Sequence, residues 1–356
     1  MRRSEIYNEI TNSFERKYSW LGKQFSEELL LSAASWNIQQ YSSPDFRIRR
    51  HLLLFWPPGF LKSTLLMKAS DLFSPQLCTV MSDVTLAALR GTVEAGSFVS
   101  PFTLKRPFSI CSEFGQIVTG RENEVVQKLL NVMEEGVVTV SLGKIAYLTG
   151  EQREEASEKY GISFIDRNTF TYKTNWILIA GTYNKKFLVD SALESRFNIM
   201  IPEKKLDSDL TKHVNNSGQF ILDEEVKAQF RHELLSNGII NISSIKLPDE
   251  IYDNGNTITP RECGGLVSYI ACRAWWNIST SKDEIIQMAE TMKQRRQEIW
   301  LSAEDRVFNS IEHQAKGVDE IATELDVTTR TVYYALKKMR AIRILTDDGD
   351  AKYRIY

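Results

Sequence analysis

The chain has 356 residues, with 44 Lys and Arg against 46 Asp and Glu for a formal net charge of −2; 42% of it is hydrophobic and 25% charged. That composition supplies enough apolar side chain to bury a core, excludes a wholly disordered polymer, and at this length suits two or three domains. No apolar run is long enough to cross a bilayer, and the N-terminus MRRSEIYNEITNSFER lacks the apolar region of a signal peptide. Cys78, Cys111, Cys263 and Cys272 have neither zinc nor disulfide spacing, so a cytoplasmic protein with reduced thiols and no membrane partner is expected. The near-neutral balance confines any nucleic-acid surface to a local patch.

In chain order, Ile6, Ile10, Phe14, Tyr18 and Leu21 recur at spacings of three and four, which predicts a helix from about Arg3 to Gln40. Ser42-Ser43-Pro44-Asp45 is a turn cluster that closes it. Leu52–Phe55 is a short apolar run stopping at Trp56-Pro57-Pro58-Gly59, the pattern of a parallel strand buried on both faces. Helical spacing resumes from Lys62 to Leu72. A second buried strand, Phe108–Cys111, ends at Ser112-Glu113. A long helix should follow it, with Val125, Val126, Leu129, Leu130 and Met133 on one face. Val137–Ile145 and Phe170–Trp176 alternate like the arms of a hairpin around the charged stretch Glu151–Lys159, and Trp176–Ala180 predicts a third buried strand. Strands alternating with helices argue for a parallel α/β core.

After Pro202 the pattern is helical to about Trp300, broken by a polar loop from Pro248 to Thr259. Ala303–His313, Val318–Leu325 and Thr328–Met339 are shorter helical patterns. Strand-like ends Ile342–Leu345 and Tyr353–Tyr356 then flank the turn Thr346–Asp350, which is the element order of a winged helix.

The segment WPPGFLKSTLL, residues 56–66, lies between a buried strand and a helix, where helix N-terminal N–H groups and the dipole favour an anion. Pro58 and Gly59 would shape the loop, Lys62 would reach the phosphates, and Ser63, followed by Thr64, would offer its hydroxyl to Mg²⁺. Trp56 and Leu61 stand where the common phosphate-loop pattern has glycines. Their side chains are expected to obstruct the backbone's approach to phosphate or to strain the turn. The competing reading is a Pro-Gly turn before a helix that merely contains a lysine. About fifty residues on, Glu113 ends a buried strand, as needed to orient an attacking water. Ser112 precedes it where an aspartate normally helps hold Mg²⁺; a serine can accept from a metal-bound water but adds no charge.

This series of motifs resembles the AAA+ ATPases, specifically the minichromosome maintenance (MCM) helicase branch, over roughly residues 45 to 275. PPGFLKSTLL is similar to that branch's phosphate loop, SDVTLAALRGTV to the stretch before its helix-2 insert, and SEFGQI to its D-E-F-x-K segment. EVVQKLLNVMEEGVVTVSLGKIA is similar to the helix and hairpin that follow, with Lys144 at the DNA-contacting lysine. ILIAGTYN resembles the sensor-1 strand, with Thr182, Tyr183 or Asn184 as its polar residue. SALESRFNI resembles the arginine-finger segment, giving Arg196, and ITPREC the sensor-2 segment, giving Arg261.

The resemblance implies an α/β fold: an AAA+ P-loop parallel sheet with a helical lid and a C-terminal winged helix. It divides the chain into an N-terminal helical segment (1–45), the ATPase core (46–204), the lid and linker helix (205–300) and the winged helix (301–356). It implies ATP and Mg²⁺ as cofactors, with Lys62, Glu113, Arg196 and Arg261 as catalytic residues. Pro58, Gly59, Lys62, Ser63, Thr64, Tyr183 and Asn184 would bind nucleotide, and Ser63 and Ser112 would face the metal. Because the finger of such proteins serves a neighbour's nucleotide, it also implies a ring, in the family a hexamer, acting on DNA beside replication partner proteins. In the last region Arg330, Lys337 and Lys338 have the make-up of a DNA-reading helix face, although winged helices also dock proteins. The alternative is a degenerate AAA+ scaffold or initiator-type switch that binds DNA or partners with little ATP turnover. With only about forty helical residues ahead of the phosphate-loop segment, a trimmed form without the large N-terminal DNA-binding region of the MCM proteins is expected.

Overall fold

The computed structural model describes residues 1–42, 47–56, 59, 61–81, 88, 91–94, 97–114, 129, 131–182, 196–202, 208–252, 258–300, 316–324, 328–339, 342–345 and 351–354. The chain divides after Ile286 into two compact units.

The first unit opens with α1 (Arg3–Tyr41), in which Ser19 leaves the helical region at φ 54°. That break brings Gly22 against the chain it has just left: a Cβ at Gly22 would lie 2.3 Å from the Phe14 carbonyl oxygen. The strands that follow are β1 (His51–Phe55), β2 (Cys78–Met81), β3 (Thr92–Glu94), β4 (Ser97–Val99) and β5 (Phe108–Cys111). After them come β6 (Val137–Ser141), β7 (Ile162–Phe164), β8 (Thr169–Lys173), β9 (Ile177–Thr182) and β10 (Phe197–Met200). Helix α2 (Lys62–Leu77) connects β1 to β2, the short α3 (Phe102–Lys105) precedes β5, and α4 (Gly150–Tyr160) lies between β6 and β7.

Five of these strands form one parallel sheet in the order β10-β1-β9-β5-β2. β1, β5 and β9 are covered on both faces, which is why each reads as an unbroken apolar run. The fold class expected from the sequence is therefore found at the level of an α/β parallel sheet. The sequence reading did not include the two edge strands, β2 and β10. The expected hairpin arms pair antiparallel as β6 and β8, with β7 as a third strand and the charged stretch folded as α4. A capping box between Thr149 and Gln152 starts α4, and Gly161 at φ 64° ends it. The first arm stops at Ser141 rather than Ile145, because Gly143–Tyr147 turns as a 3₁₀ helix.

Beyond the sheet, α5 (Ser208–Asn216), α6 (Glu224–Leu235), α7 (Pro260–Trp275) and the start of α8 (Lys282–Trp300) fill the region read as helical. Helix α1 is the element that joins them to the sheet. Its Phe14 and Tyr18 meet Phe220, its Tyr7 meets Trp276, and Asn37 donates to the carbonyls of Leu234 and Ser236, each at 2.7 Å, while accepting from the Trp275 indole at 2.8 Å.

In the second unit, β11 (Lys316–Gly317), α9 (Val318–Glu324), α10 (Thr329–Met339), β12 (Ile342–Leu345) and β13 (Ala351–Arg354) include a three-stranded antiparallel sheet ordered β11-β13-β12. β13 begins two residues earlier than the sequence pattern suggests, because Ala351 pairs with Leu345. The helical pattern of residues 303–313 lies outside the described residues.

Candidate functional site

β1 and β9 are neighbours whose outgoing connections leave in opposite directions, one to β2 at the far edge and one to β10. In open α/β sheets the crevice at the carboxyl ends of such strands is the usual ligand position. Three short segments converge there: the loop after β1, Ser112-Glu113 after β5, and Gly181-Thr182 at the end of β9.

Trp56 does not obstruct the loop as the sequence suggested. Its indole is fully buried, donates to the Met200 carbonyl at 3.1 Å and packs edge-on to Phe25, so the ring is in the core. Its backbone N–H extends the β1–β9 ladder onto the Thr182 carbonyl at 3.2 Å. Gly59 sits at φ 87° in open space, where a Cβ would meet nothing within 4 Å. Leu61 adopts φ 58°, ψ 8°, a left-handed conformation that costs a non-glycine residue about 1–2 kcal/mol. The expected backbone strain is thus present at the residue before Lys62, the kind of outlier that surrounding structure must hold in place.

Lys62 opens α2 and is only 6% exposed. Its stem crosses Gly181: a Cβ there would be 2.6 Å from Lys62 Cδ and 2.9 Å from Cγ. Glu113 is its electrostatic neighbour. Burial pushes the Lys62 ammonium below its usual range, and the Glu113 carboxylate pulls the other way. The stem is packed over Gly181, and the charged end is close enough to Glu113 to feel its carboxylate. Ser63 and Thr64 are exposed on the first turn of α2, and Ser112 and Glu113 are half-buried. Leu61 in the left-handed region, an open Gly59, a helix N-terminus and a stem-packed lysine fit a phosphate group. Ser63 and Ser112 supply hydroxyls only, and among the described residues no group of three or more His, Cys, Asp or Glu comes together to hold a metal.

Arg196 is not brought to this cluster. It immediately precedes β10, whose Phe197 is in register with His51 at the start of β1, so it belongs to the amino edge of the sheet. The six residues of β9 separate the two edges by roughly 17–20 Å. Arg196 Nε lies 3.0 Å from the Glu134 carboxylate, which also holds Arg47 at 3.0 Å, and its side chain is 16% exposed.

Pro58, Tyr183 and Asn184 lie outside the described residues, whereas Thr182, the first of the three sensor candidates, is buried at the end of β9. Arg261 falls in the first turn of α7, which starts with a Thr259–Glu262 capping box; its side chain is outside the described set. Lys144 falls in the 3₁₀ turn after β6, its side chain likewise outside that set. In the second unit Arg330 and Lys337 are exposed on α10, opposite buried Val332 and Leu336; Arg330 lies 5.7 Å from the Tyr334 ring centroid, and the side chain of Lys338 is outside the described set.

Two participants were missed from the sequence. Gly181 carried a signal, since an isolated glycine inside a buried strand marks a close approach. Glu134 carried none, because it is one of several glutamates near a helix end. Compared with known protein families and with curated proteins, the chain matches none.

Proposed function

We propose that this chain binds ATP with Mg²⁺ at the carboxyl edge of its sheet and works as a ring-forming AAA+ ATPase of the MCM-like branch that moves or remodels DNA. The observation that carries the reading is the packing of Lys62 across Gly181 beside Ser112 and Glu113, directly after the left-handed Leu61. In this role Lys62 and the first N–H groups of α2 hold phosphate, Ser63 and Ser112 face the metal, and Glu113 orients water. Gly59 lets the backbone approach, with Pro58, Thr64 and Tyr183 or Asn184 completing the pocket. ATP with its metal supplies the transferable phosphoryl group. The chain's own contribution is placed charge.

Arg196 and Lys62 at opposite edges of one sheet support a finger that serves a neighbouring chain's nucleotide, and with it a ring. Lys144 and the α10 face of Arg330, Lys337 and Lys338 are the proposed DNA contacts, α10 within a winged helix. The second reading, a scaffold with little turnover, is favoured by Ser112 in place of a carboxylate and by the engagement of Arg196 with Glu134 in the same chain. ATP hydrolysis measured with and without single- and double-stranded DNA separates the two. The motor predicts DNA-stimulated turnover that Glu113→Gln abolishes; a protein that binds DNA or assembles without turnover is the scaffold.

A further inference from the structure

We propose that Gly181 is a positioning residue for Lys62, the space left by its missing side chain being the channel that aims the ammonium. The inference rests on the reading of Lys62 as the phosphate ligand. A Cβ at Gly181 would lie 2.6 Å from Lys62 Cδ, 2.9 Å from Cγ and 3.0 Å from the Ser112 carbonyl oxygen. The nearest obstacle is therefore the middle of the lysine stem. Lys62 is buried and starts α2 directly after the left-handed Leu61, so its stem must bend around any carbon added at 181. A lysine stem is flexible and surrenders rotamer freedom only where packing restricts it. A glycine in a buried strand otherwise weakens the strand, so this position trades strand propensity for a groove. β9 runs between β1, whose Leu54 is in register with Gly181, and β5, whose Cys111 pairs with Ala180 just before Ser112 and Glu113. Any side chain at 181 would displace the ammonium from the strand ends without touching phosphate itself.

The test is a cycle of four full-length chains: wild type, Gly181→Ala, Lys62→Ala and the double variant. Each is measured for its urea midpoint without nucleotide and for affinity toward a fluorescent ATP analogue with Mg²⁺. Gly181→Ala should lower the midpoint when Lys62 is present and clearly less when residue 62 is alanine. It should also weaken the analogue by about tenfold or more, the scale of a displaced charge-assisted hydrogen bond, and add little to the loss caused by Lys62→Ala. Equal midpoint shifts in both backgrounds, or unchanged affinity in Gly181→Ala, overturn the proposal. If Gly181→Ala does not fold, recovery of folding in the double variant supports the channel, and failure of the double variant assigns Gly181 to the Ser112 backbone contact instead. If wild type and Lys62→Ala both ignore the analogue, the phosphate reading fails, and the midpoint cycle alone decides whether Gly181 places Lys62.

Discussion

His51, the first residue of β1, has no exposed surface; its Nδ1 accepts the Leu178 N–H at 2.9 Å, and Nε2 lies 3.4 Å from the Met133 carbonyl. Burial, then the charges of Arg49 and Arg47, hold its pKa well below the usual imidazole range. The unfolded chain therefore takes up a proton near pH 6.5 that the folded chain refuses. Stability should be full above that pH and fall as pH drops below it, by at most about 1.4 kcal/mol per pH unit for one proton. Urea midpoints from pH 7.5 to 5 should show this slope, and His51→Gln should flatten it; parallel slopes would count against the assignment.

Arg49 is the neighbouring case. Its guanidinium donates to the carbonyls of Val132, Met133 and Glu134, left free where a helix ends, and to the Thr174 carbonyl just after β8, all at 3.1–3.3 Å. Gly136 at φ 65° lets the chain turn away there. Arg49→Met should cost about 2–4 kcal/mol because those acceptors stay buried. Arg49→Lys should recover only part, since one ammonium cannot reproduce the fork. Denaturation of both variants tests the claim.

At the scale of elements, α2 is broken near its end: Ser74 sits at φ 72° and is followed by Pro75. Proline has no N–H for the Asp71 carbonyl, and the break disrupts the next bond. Arg231 on α6 takes over both, donating to the Leu72 carbonyl at 2.8 Å and the Asp71 carbonyl at 2.7 Å, while Lys227 pairs with the Asp71 carboxylate at 2.7 Å. The helix that begins at Lys62 is thus tied to a helix beyond the sheet. Arg231→Ala should lower stability by about 1–2 kcal/mol, read from a thermal melt, with Arg231→Lys between it and wild type.

The same scale shows what the sequence could disclose. β1, β5 and β9 were readable because both faces are buried, and the hairpin because β6 alternates. β2 was not, since Val80 is 50% exposed in a four-residue strand next to a helix end. The break at Ser19 left no trace, because Phe14, Tyr18 and Leu21 keep helical spacing across it. Lys62, Ser63 and Glu113 were legible from local order. The burial of the Trp56 ring and the hold of Glu134 on Arg196 were not, because each depends on a partner more than sixty residues away in sequence.

For the molecule as a whole, α1 is part of the first unit's core rather than a segment preceding it. Ile6, Ile10, Phe14, Leu21, Phe25, Leu29 and Leu30 have no exposed surface, and each such side chain contributes about 1.5–3 kcal/mol by burial. Deleting residues 1–42 should therefore leave an unfolded or aggregating chain, not a trimmed sheet; a soluble product with a cooperative melt would refute this. The Trp275–Asn37 bond closes the same junction, and Gly238 lies so near it that a Cβ would come within 2.1 Å of the Trp275 indole nitrogen.

Under the proposed motor, the position of Arg196 would set an order of reaction. A single chain has Lys62 and Glu113 at one edge of its sheet and Arg196 at the other. If turnover requires both, an isolated molecule is an incomplete catalyst. The rate should then fall on dilution more steeply than first order in protein, so that specific activity drops as well, while nucleotide binding per chain stays constant. Mixing excess Arg196→Ala chains with Lys62→Ala chains should restore part of the activity that neither has alone.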